Sequence, residues 1–283
     1  MKRTGLFMLV GDPVEGSLSP VIFNAAFRSL NMNAVYVATR VPSGILPSFI
    51  AGIRQAGIHG FNVTIPHKVA VIDLLDSLDK SAQEVEAVNT VVNRRGRLIG
   101  YNTDGQGALM ALEEEIGPIR GKKVVLLGAG GAARAIAFSL VKAGCELTIA
   151  NRTLSKAEAL AGIIERKLSK RVKLIPLRRS ELRKEISEAD ILINTTSVGM
   201  LPNVEETPVG ADLLHPDLVV NDIVYKPLKT KLLREAEKAG AKTISGLGML
   251  INQAALAFKI WTGRPAPVED MRRAAEEYLR EVG

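Results

Sequence analysis

Short apolar runs, several rich in β-branched side chains, alternate along the chain with stretches whose apolar positions recur every three to four residues. Runs of the first kind predict strands and stretches of the second kind predict helices. In the first part of the chain the strands fall at Gly5 to Val10, Ala34 to Thr39 and Gly60 to Ile65, with helices at Pro20 to Leu30 and Pro47 to Ala56. Val88 to Val92 and Leu98 to Tyr101 flank Arg94-Arg95-Gly96-Arg97, which reads as a hairpin near a sheet edge. The first sheet is therefore expected to be mixed, mostly parallel, in a three-layer α/β/α domain.

A second run begins near Gly121. Its strands are expected at Lys123 to Leu127, Glu146 to Ala150, Val172 to Pro176, Ile191 to Thr195, Leu218 to Ile223 and Lys242 to Ile244. Helical patterns separate most of them, and Asp104 to Ile116 forms the connecting helix. Six strands with crossovers predict a doubly wound, Rossmann-type domain. After Gly246 two amphipathic helices remain, Gly248 to Trp261 and Pro267 to Glu281. With no strand to cross to, they are expected to pack back on the first domain. The domains are thus 1–104 completed by 246–283, and 105–245. A length of 283 residues fits two domains at about 150 residues each.

Composition narrows the function class. The 37 Lys and Arg against 30 Asp and Glu leave a charge of +7, but the basic residues are scattered and aromatics make up only 4%. That is poor material for base stacking. The field favours anionic small molecules over nucleic acid. No apolar run is long enough for a membrane helix. Met1 to Val10 has a basic start and a short apolar run, yet it leads into Gly11-Asp12-Pro13 without a small-residue cleavage pattern and reads as a first strand. Cys145 is the only cysteine, so no intramolecular disulfide or cysteine zinc site forms. No metal site is expected, and a reducing cytoplasm fits.

Val124 to Leu127 leads into Gly128-Ala129-Gly130-Gly131-Ala132-Ala133 and then a helical stretch. This is the dinucleotide fingerprint in its G-x-G-x-x-A form. Gly128 allows the tight turn, Gly130 lets backbone approach a pyrophosphate, and Ala133 permits close helix–strand packing. The helix N-terminus presents free N–H groups to phosphate. The next strand ends at Asn151-Arg152-Thr153 rather than at Asp or Glu. An arginine there pairs with a 2′-phosphate that a carboxylate would repel, so NADP(H) is expected over NAD. Asn194-Thr195-Thr196-Ser197-Val198-Gly199-Met200 follows another strand end. Its hydroxyls either contact the cofactor or make a turn of local hydrogen bonds.

Hydride transfer needs a proton donor or acceptor at the substrate oxygen. His59 and His215 read as turn residues, and His67 adjoins a lysine of more interest. Lys68 opens a helix after the Asn62 to Pro66 strand end, and Asp104 follows another strand end. The two pair across an interdomain cleft, or they are unrelated surface charges. Ser19 and Pro20 suit an N-cap and a first helical position, while the hydroxyls of Ser17 and Ser19 at a helix N-terminus also suit a carboxylate.

Ser17-Leu18-Ser19-Pro20, Asn62 to Lys68, Ala87 to Thr90, Asn102-Thr103-Asp104-Gly105, Gly128 to Ala133, Asn151-Arg152-Thr153, Asp222-Ile223-Val224-Tyr225 and Gly246 to Gln253 occur in order. Together they resemble the motifs of the shikimate dehydrogenases over essentially the whole chain. The resemblance implies NADPH-dependent, reversible reduction of 3-dehydroshikimate to shikimate in aromatic amino-acid biosynthesis. It implies Lys68 as acid/base beside Asp104, and Ser17 and Ser19 on the substrate carboxylate. Thr64, Asn89, Asp104, Tyr225 and Gln253 would bind its hydroxyls or ring face. It implies cofactor contacts from Gly128, Ala129, Gly130, Gly131, Ala132, Asn151, Arg152, Thr153, Thr195 and Ile223, with Gly246 and Met249 near the nicotinamide. Alternatives are a quinate/shikimate dehydrogenase, a reductase of another cyclic hydroxy acid, and a non-catalytic NADP sensor. Both monomer and homodimer fit the sequence.

Overall fold

Two sheets of six strands each account for the alternation in the computed structural model, which describes residues 4–282. The elements in chain order are β1 (Gly5–Gly11), α1 (Ser19–Ser29), β2 (Ala34–Arg40), α2 (Leu46–Ala56), β3 (Gly60–Val63), β4 (Ser77–Leu78), α3 (Lys80–Val85), β5 (Thr90–Arg94), β6 (Arg97–Tyr101) and α4 (Asp104–Ile116). Then come β7 (Lys123–Leu127), α5 (Gly131–Ala143), β8 (Glu146–Asn151), α6 (Leu154–Leu168), β9 (Lys173–Pro176), α7 (Arg179–Ile186), β10 (Ile191–Asn194), β11 (Val219–Asp222), α8 (Lys231–Lys238), β12 (Lys242–Ile244), α9 (Gly246–Thr262) and α10 (Val268–Val282). The opening strand starts at Gly5; residues 1–3 of the expected Met1 to Val10 segment lie outside the described residues.

The chain divides into two units. The described residues up to Asp104, with Ile251–Val282, form the first; Gly105–Leu250 form the second. The divisions fall inside α4 and α9, so Gly246 to Leu250 group with the second unit. Close packing explains that grouping. A Cβ on Gly246 would stand 2.2 Å from the Ile223 carbonyl oxygen, and one on Gly248 3.2 Å from the Ala111 Cβ.

In the first unit the strand order is β2-β1-β3-β5-β6-β4. β1 pairs in parallel with β2 and β3, while β5 is antiparallel to β3 and to β6. The β5–β6 turn uses left-handed Arg95 and Gly96, with φ of 55° and 90°, the two-residue geometry whose twist matches the flanking strands. Successive residues of β1 serve opposite faces. Met8 and Val10 join Leu46, Ile50 and Ile53 of α2 in one core. Phe7 packs on Phe27 of α1 and Trp261 of α9, at ring separations of 5.2 and 5.0 Å. Helices thus cover both faces. The Trp261 indole donates to the Val91 carbonyl at 3.0 Å and lies over Gly60, where a Cβ would fall 2.4 Å from Nε1.

Two elements here escape the periodicity. β4 is only two residues long, and α3 only six. The signal for α3 is chemical: the Asp79 carboxylate accepts from the Ser81 N–H at 2.9 Å and caps it.

In the second unit the order is β12-β11-β10-β7-β8-β9, with every pairing parallel. This is the doubly wound order, and it reverses between β7 and β10. β7 is buried after its first residue and β10 throughout, as expected of central strands covered on both faces. Among the described residues, no helix is long and apolar enough to cross a membrane.

Candidate active site

Strand directions collect the chemical groups of the first unit. Because β3 runs with β1, β5 against β3 and β6 against β5, the carboxyl ends of β1, β3 and β6 share one sheet end with the start of β5. The segments at that end carry Ser17, Thr64, Lys68, Asn89 and Asp104. Backbone bonds tie them together: Asp12 N–H to Ile65 O at 2.8 Å, and Val88 N–H to Lys68 O at 2.7 Å.

Lys68 Nζ donates to Asp104 Oδ2 at 2.5 Å, and their side chains are only 15% and 6% exposed. They are paired, not unrelated charges. Both belong to the first unit, so the pair is internal to that unit rather than reaching across a cleft; the strand ends of one sheet already bring the residues together. Asp104 opens α4, where the helix dipole favours an anion. Its second oxygen, Oδ1, accepts from Asn89 Nδ2 at 2.7 Å. Its N–H donates to Asn102 Oδ1 at 3.0 Å. A buried ion pair is stabilising only when such additional bonds satisfy it. Gln253 Oε1 lies 3.4 Å from both Asn89 Nδ2 and Thr103 Oγ1, at the long end of hydrogen bonding.

Ser17 and Ser19 are adjacent, with Oγ atoms 3.3 Å apart. Ser19 is the first helical residue, not the expected N-cap. Ser17 Oγ accepts the Ser19 N–H at 3.2 Å, which satisfies that terminus from outside the helix. Thr64 is half-buried beside Gly11, where a Cβ would meet Thr64 Cγ2 at 2.2 Å. The histidines serve the backbone: buried His67 Nε2 lies 2.6 Å from Val41 O, and His215 Nε2 3.0 Å from Ile186 O.

The second unit presents the dinucleotide turn at its topological switch point. Gly128 has φ of 108°, and a Cβ there would meet Thr195 Oγ1 at 2.7 Å. Gly130 precedes α5 and has no atom within 4 Å of where its Cβ would point. That opening is the room a pyrophosphate needs against the helix N-terminus. Ala129, Gly131 and Ala132 are half-buried around it, and Ala133 is fully buried. The residues present therefore fit a dinucleotide. Thr195 Oγ1 donates to Leu127 O at 2.6 Å, and Asn194 Oδ1 accepts from the N–H and hydroxyl of Thr196 at 3.0 and 2.7 Å. The turn is thus held by local hydrogen bonds. Asn151 Nδ2 donates to Thr153 O at 2.7 Å, leaving Arg152 and Thr153 exposed just after β8. Gly246 and Met249 are buried at the start of α9, and Ile223 and Tyr225 are half-buried after β11.

Comparison with known proteins decides the family. The pattern of the shikimate dehydrogenase substrate binding domain matches residues 9–91. That of shikimate / quinate 5-dehydrogenase matches 111–207, and that of the shikimate 5'-dehydrogenase C-terminal domain 246–276. The NADP(+) shikimate dehydrogenase of Methanopyrus kandleri is 52% identical, over 98% of this chain and 97% of its own. The chain belongs to the shikimate dehydrogenase family. It is an NADP-dependent oxidoreductase. A solved shikimate dehydrogenase in complex with NADP+ superimposes with a TM-score of 0.92 at 50% identity, covering 98% of this chain and 96% of that one. Another from Thermus thermophilus, in complex with NADP(H) and shikimate, gives 0.86 at 39% identity, covering 97% and 99%.

One further group in the shikimate dehydrogenase fold titrates unusually. Asp222, at the end of β11, is completely buried. Burial pushes its carboxyl up to about 6, against donors at Thr230, Val224 N and Asn194 that favour the charge. Its folded value exceeds the unfolded one, so its stabilising contribution is full below the unfolded value and is lost as pH rises through the folded one. Relative to Asp222→Asn, the native chain should lose on the order of 3 kcal/mol of stability between about pH 4 and about pH 7. Urea unfolding at several pH values checks this; parallel pH profiles for the two proteins would contradict it.

Proposed function

We propose that Lys68 and Asp104 carry the proton chemistry with which this chain interconverts 3-dehydroshikimate and shikimate. The observation that supports this most is the buried 2.5 Å pair at the sheet end of the first unit. In the reductive direction Lys68 Nζ gives a proton to the substrate carbonyl oxygen, and in the oxidative direction it takes one from the hydroxyl. Asp104 Oδ2 holds the ammonium in place and accepts a substrate hydroxyl. Ser17 and Ser19 receive the carboxylate, and Thr64, Asn89 and Gln253 receive the hydroxyls. Tyr225, past β11, completes the set. A polar site of this kind discriminates strongly against analogues that leave its groups unpaired. The Thermus thermophilus relative in complex with shikimate supports the substrate assignment.

Bound NADP(H) supplies the hydride. Gly128 to Ala132 would hold its pyrophosphate, Arg152 with Asn151 and Thr153 its 2′-phosphate, and Thr195, Ile223, Gly246 and Met249 would contact the rest of it, Gly246 and Met249 near the nicotinamide. The single Cys145 thiol, buried and pushed up to about 11, is inert in this chemistry and suits a cytoplasmic enzyme.

A homodimer built on β2 belongs to the same proposal. Of the four sheet edges, β4 has two residues, β12 three, and β9 four ending in Pro176. β2 has seven, with Arg40 its only charge and Val35 and Val37 exposed at 37% and 39%. An unblunted apolar edge invites pairing, and antiparallel pairing about Val37 is self-complementary with no like charges opposed. Sedimentation should show a dimer that Val37→Lys converts to monomer. A monomeric native chain would overturn this part.

The function itself is tested by following reduced-nicotinamide absorbance with shikimate and NADP, against NAD and quinate controls. Turnover is expected with shikimate and NADP. Arg152→Ala should lose roughly ten- to a hundredfold of the preference for NADP over NAD, the worth of one charge-assisted bond. Folded, NADP-binding protein that turns over neither acid would overturn the reading.

A further inference from the structure

Asn62 is a buried amide inside an otherwise apolar strand, flanked by Phe61 and Val63. It lies opposite Thr90 in the antiparallel β3–β5 register. Burying two polar side chains in the middle of a sheet is costly unless they are bonded. Here they belong to a continuous set that ends on the Asp104 carboxylate.

Two backbone groups fix the sense of every bond in that set. The Asn89 carbonyl can only accept, and it lies 3.1 Å from the Asn62 amide; Nδ2 of Asn62 therefore faces it and Oδ1 faces away. Oδ1 takes the Tyr36 hydroxyl proton at 2.8 Å. Asn62 Nδ2 also donates to Thr90 Oγ1 at 3.0 Å, so the Thr90 proton goes onward to Asn89 Oδ1, again at 3.0 Å. The Thr103 N–H can only donate, and it meets Asn89 Oδ1 at 2.9 Å. Asn89 Nδ2 must then point at Asp104 Oδ1, at 2.7 Å. Asp104 is left with Oδ2 toward Lys68.

We infer that Tyr36, Asn62 and Thr90 are positioning residues for the proton-transfer pair, setting the Asn89 amide orientation that holds the Asp104 carboxylate toward Lys68. The inference rests on the reading of Lys68 and Asp104 as the proton-transfer groups. Each link is buried: Tyr36, Asn62, Asn89, Thr90 and Asp104 are all nearly or fully inaccessible. The outer end is anchored twice. The Tyr36 ring stacks on Phe23 with centroids 4.5 Å apart, and its backbone exchanges two bonds with the Asn24 side chain at 2.8 and 2.9 Å. A rigid aromatic pair in the core thereby reaches the reacting end of the sheet through hydrogen bonds alone. Fully satisfied networks of this kind specify a single geometry, and small misplacements of reacting groups cost large factors in rate.

Thr90→Val keeps the shape and removes the relay; Thr90→Ser keeps the relay; Tyr36→Phe removes the outermost donor. Steady-state kinetics and thermal unfolding are measured for each, with Lys68→Ala as reference. Thr90→Val should lower kcat about tenfold with KM for NADP unchanged. Thr90→Ser should restore kcat to within about twofold, and Tyr36→Phe should show a smaller loss in the same direction. Native kcat in both Thr90→Val and Tyr36→Phe would overturn the inference. So would a Thr90→Val loss that Thr90→Ser does not rescue, or one that only tracks a lowered melting temperature. A Lys68→Ala protein that turns over normally would instead overturn the reading beneath it, and with it this proposal.

Discussion

A lysine and an aspartate cannot be placed in a protein interior separately. Each would carry an uncompensated charge out of water, at a cost of several kcal/mol. The Lys68–Asp104 pair therefore constrains everything around it: the two must meet, and their remaining bonding capacity must be met by fixed partners. The first unit is arranged to do this. Reversing the chain direction at β5 and again at β6 brings residue 104 back to the sheet end from which residue 68 departs. A wholly parallel sheet in this order would have left Asn89, which precedes β5, at the opposite end from Asp104.

The second unit answers a different constraint, the approach of backbone to a phosphate-bearing ligand. Its glycines divide the labour. Gly128 is required by a left-handed φ and by Thr195, and Gly246 by a carbonyl oxygen that any side chain would strike, while Gly130 leaves open the space beside the helix start that a pyrophosphate would take. Gly128 and Gly130 were legible as a motif. The reason for Gly246 is contact with Ile223, twenty-three residues earlier in the chain, and no local pattern shows it.

Much of the architecture was readable because strand and helix periods are distinct. α4 occupies the residues the pattern marks, and all six strands of the second sheet lie within a residue or two of expectation. What was missed was short: β4 and α3 have too few residues for a period to appear. At the site, the residue types of Lys68, Asp104, Asn89 and the two serines were conspicuous. The Asn62–Thr90 bond was not, since it depends on strand register, and Tyr36 read only as another apolar position of β2. Ser19 reads as an N-cap in sequence because helix-start preference does not distinguish it from a serine two residues earlier; the structure gives the bonding role to Ser17.

The central claim is that the buried carboxylate at 104 holds the lysine that moves the proton. The most direct test is turnover of shikimate with NADP by Asp104→Asn, which preserves shape and removes the charge, alongside NADP affinity. A fall in kcat of at least about a hundredfold is expected, with NADP binding within about twofold of native. Native turnover in Asp104→Asn would contradict it.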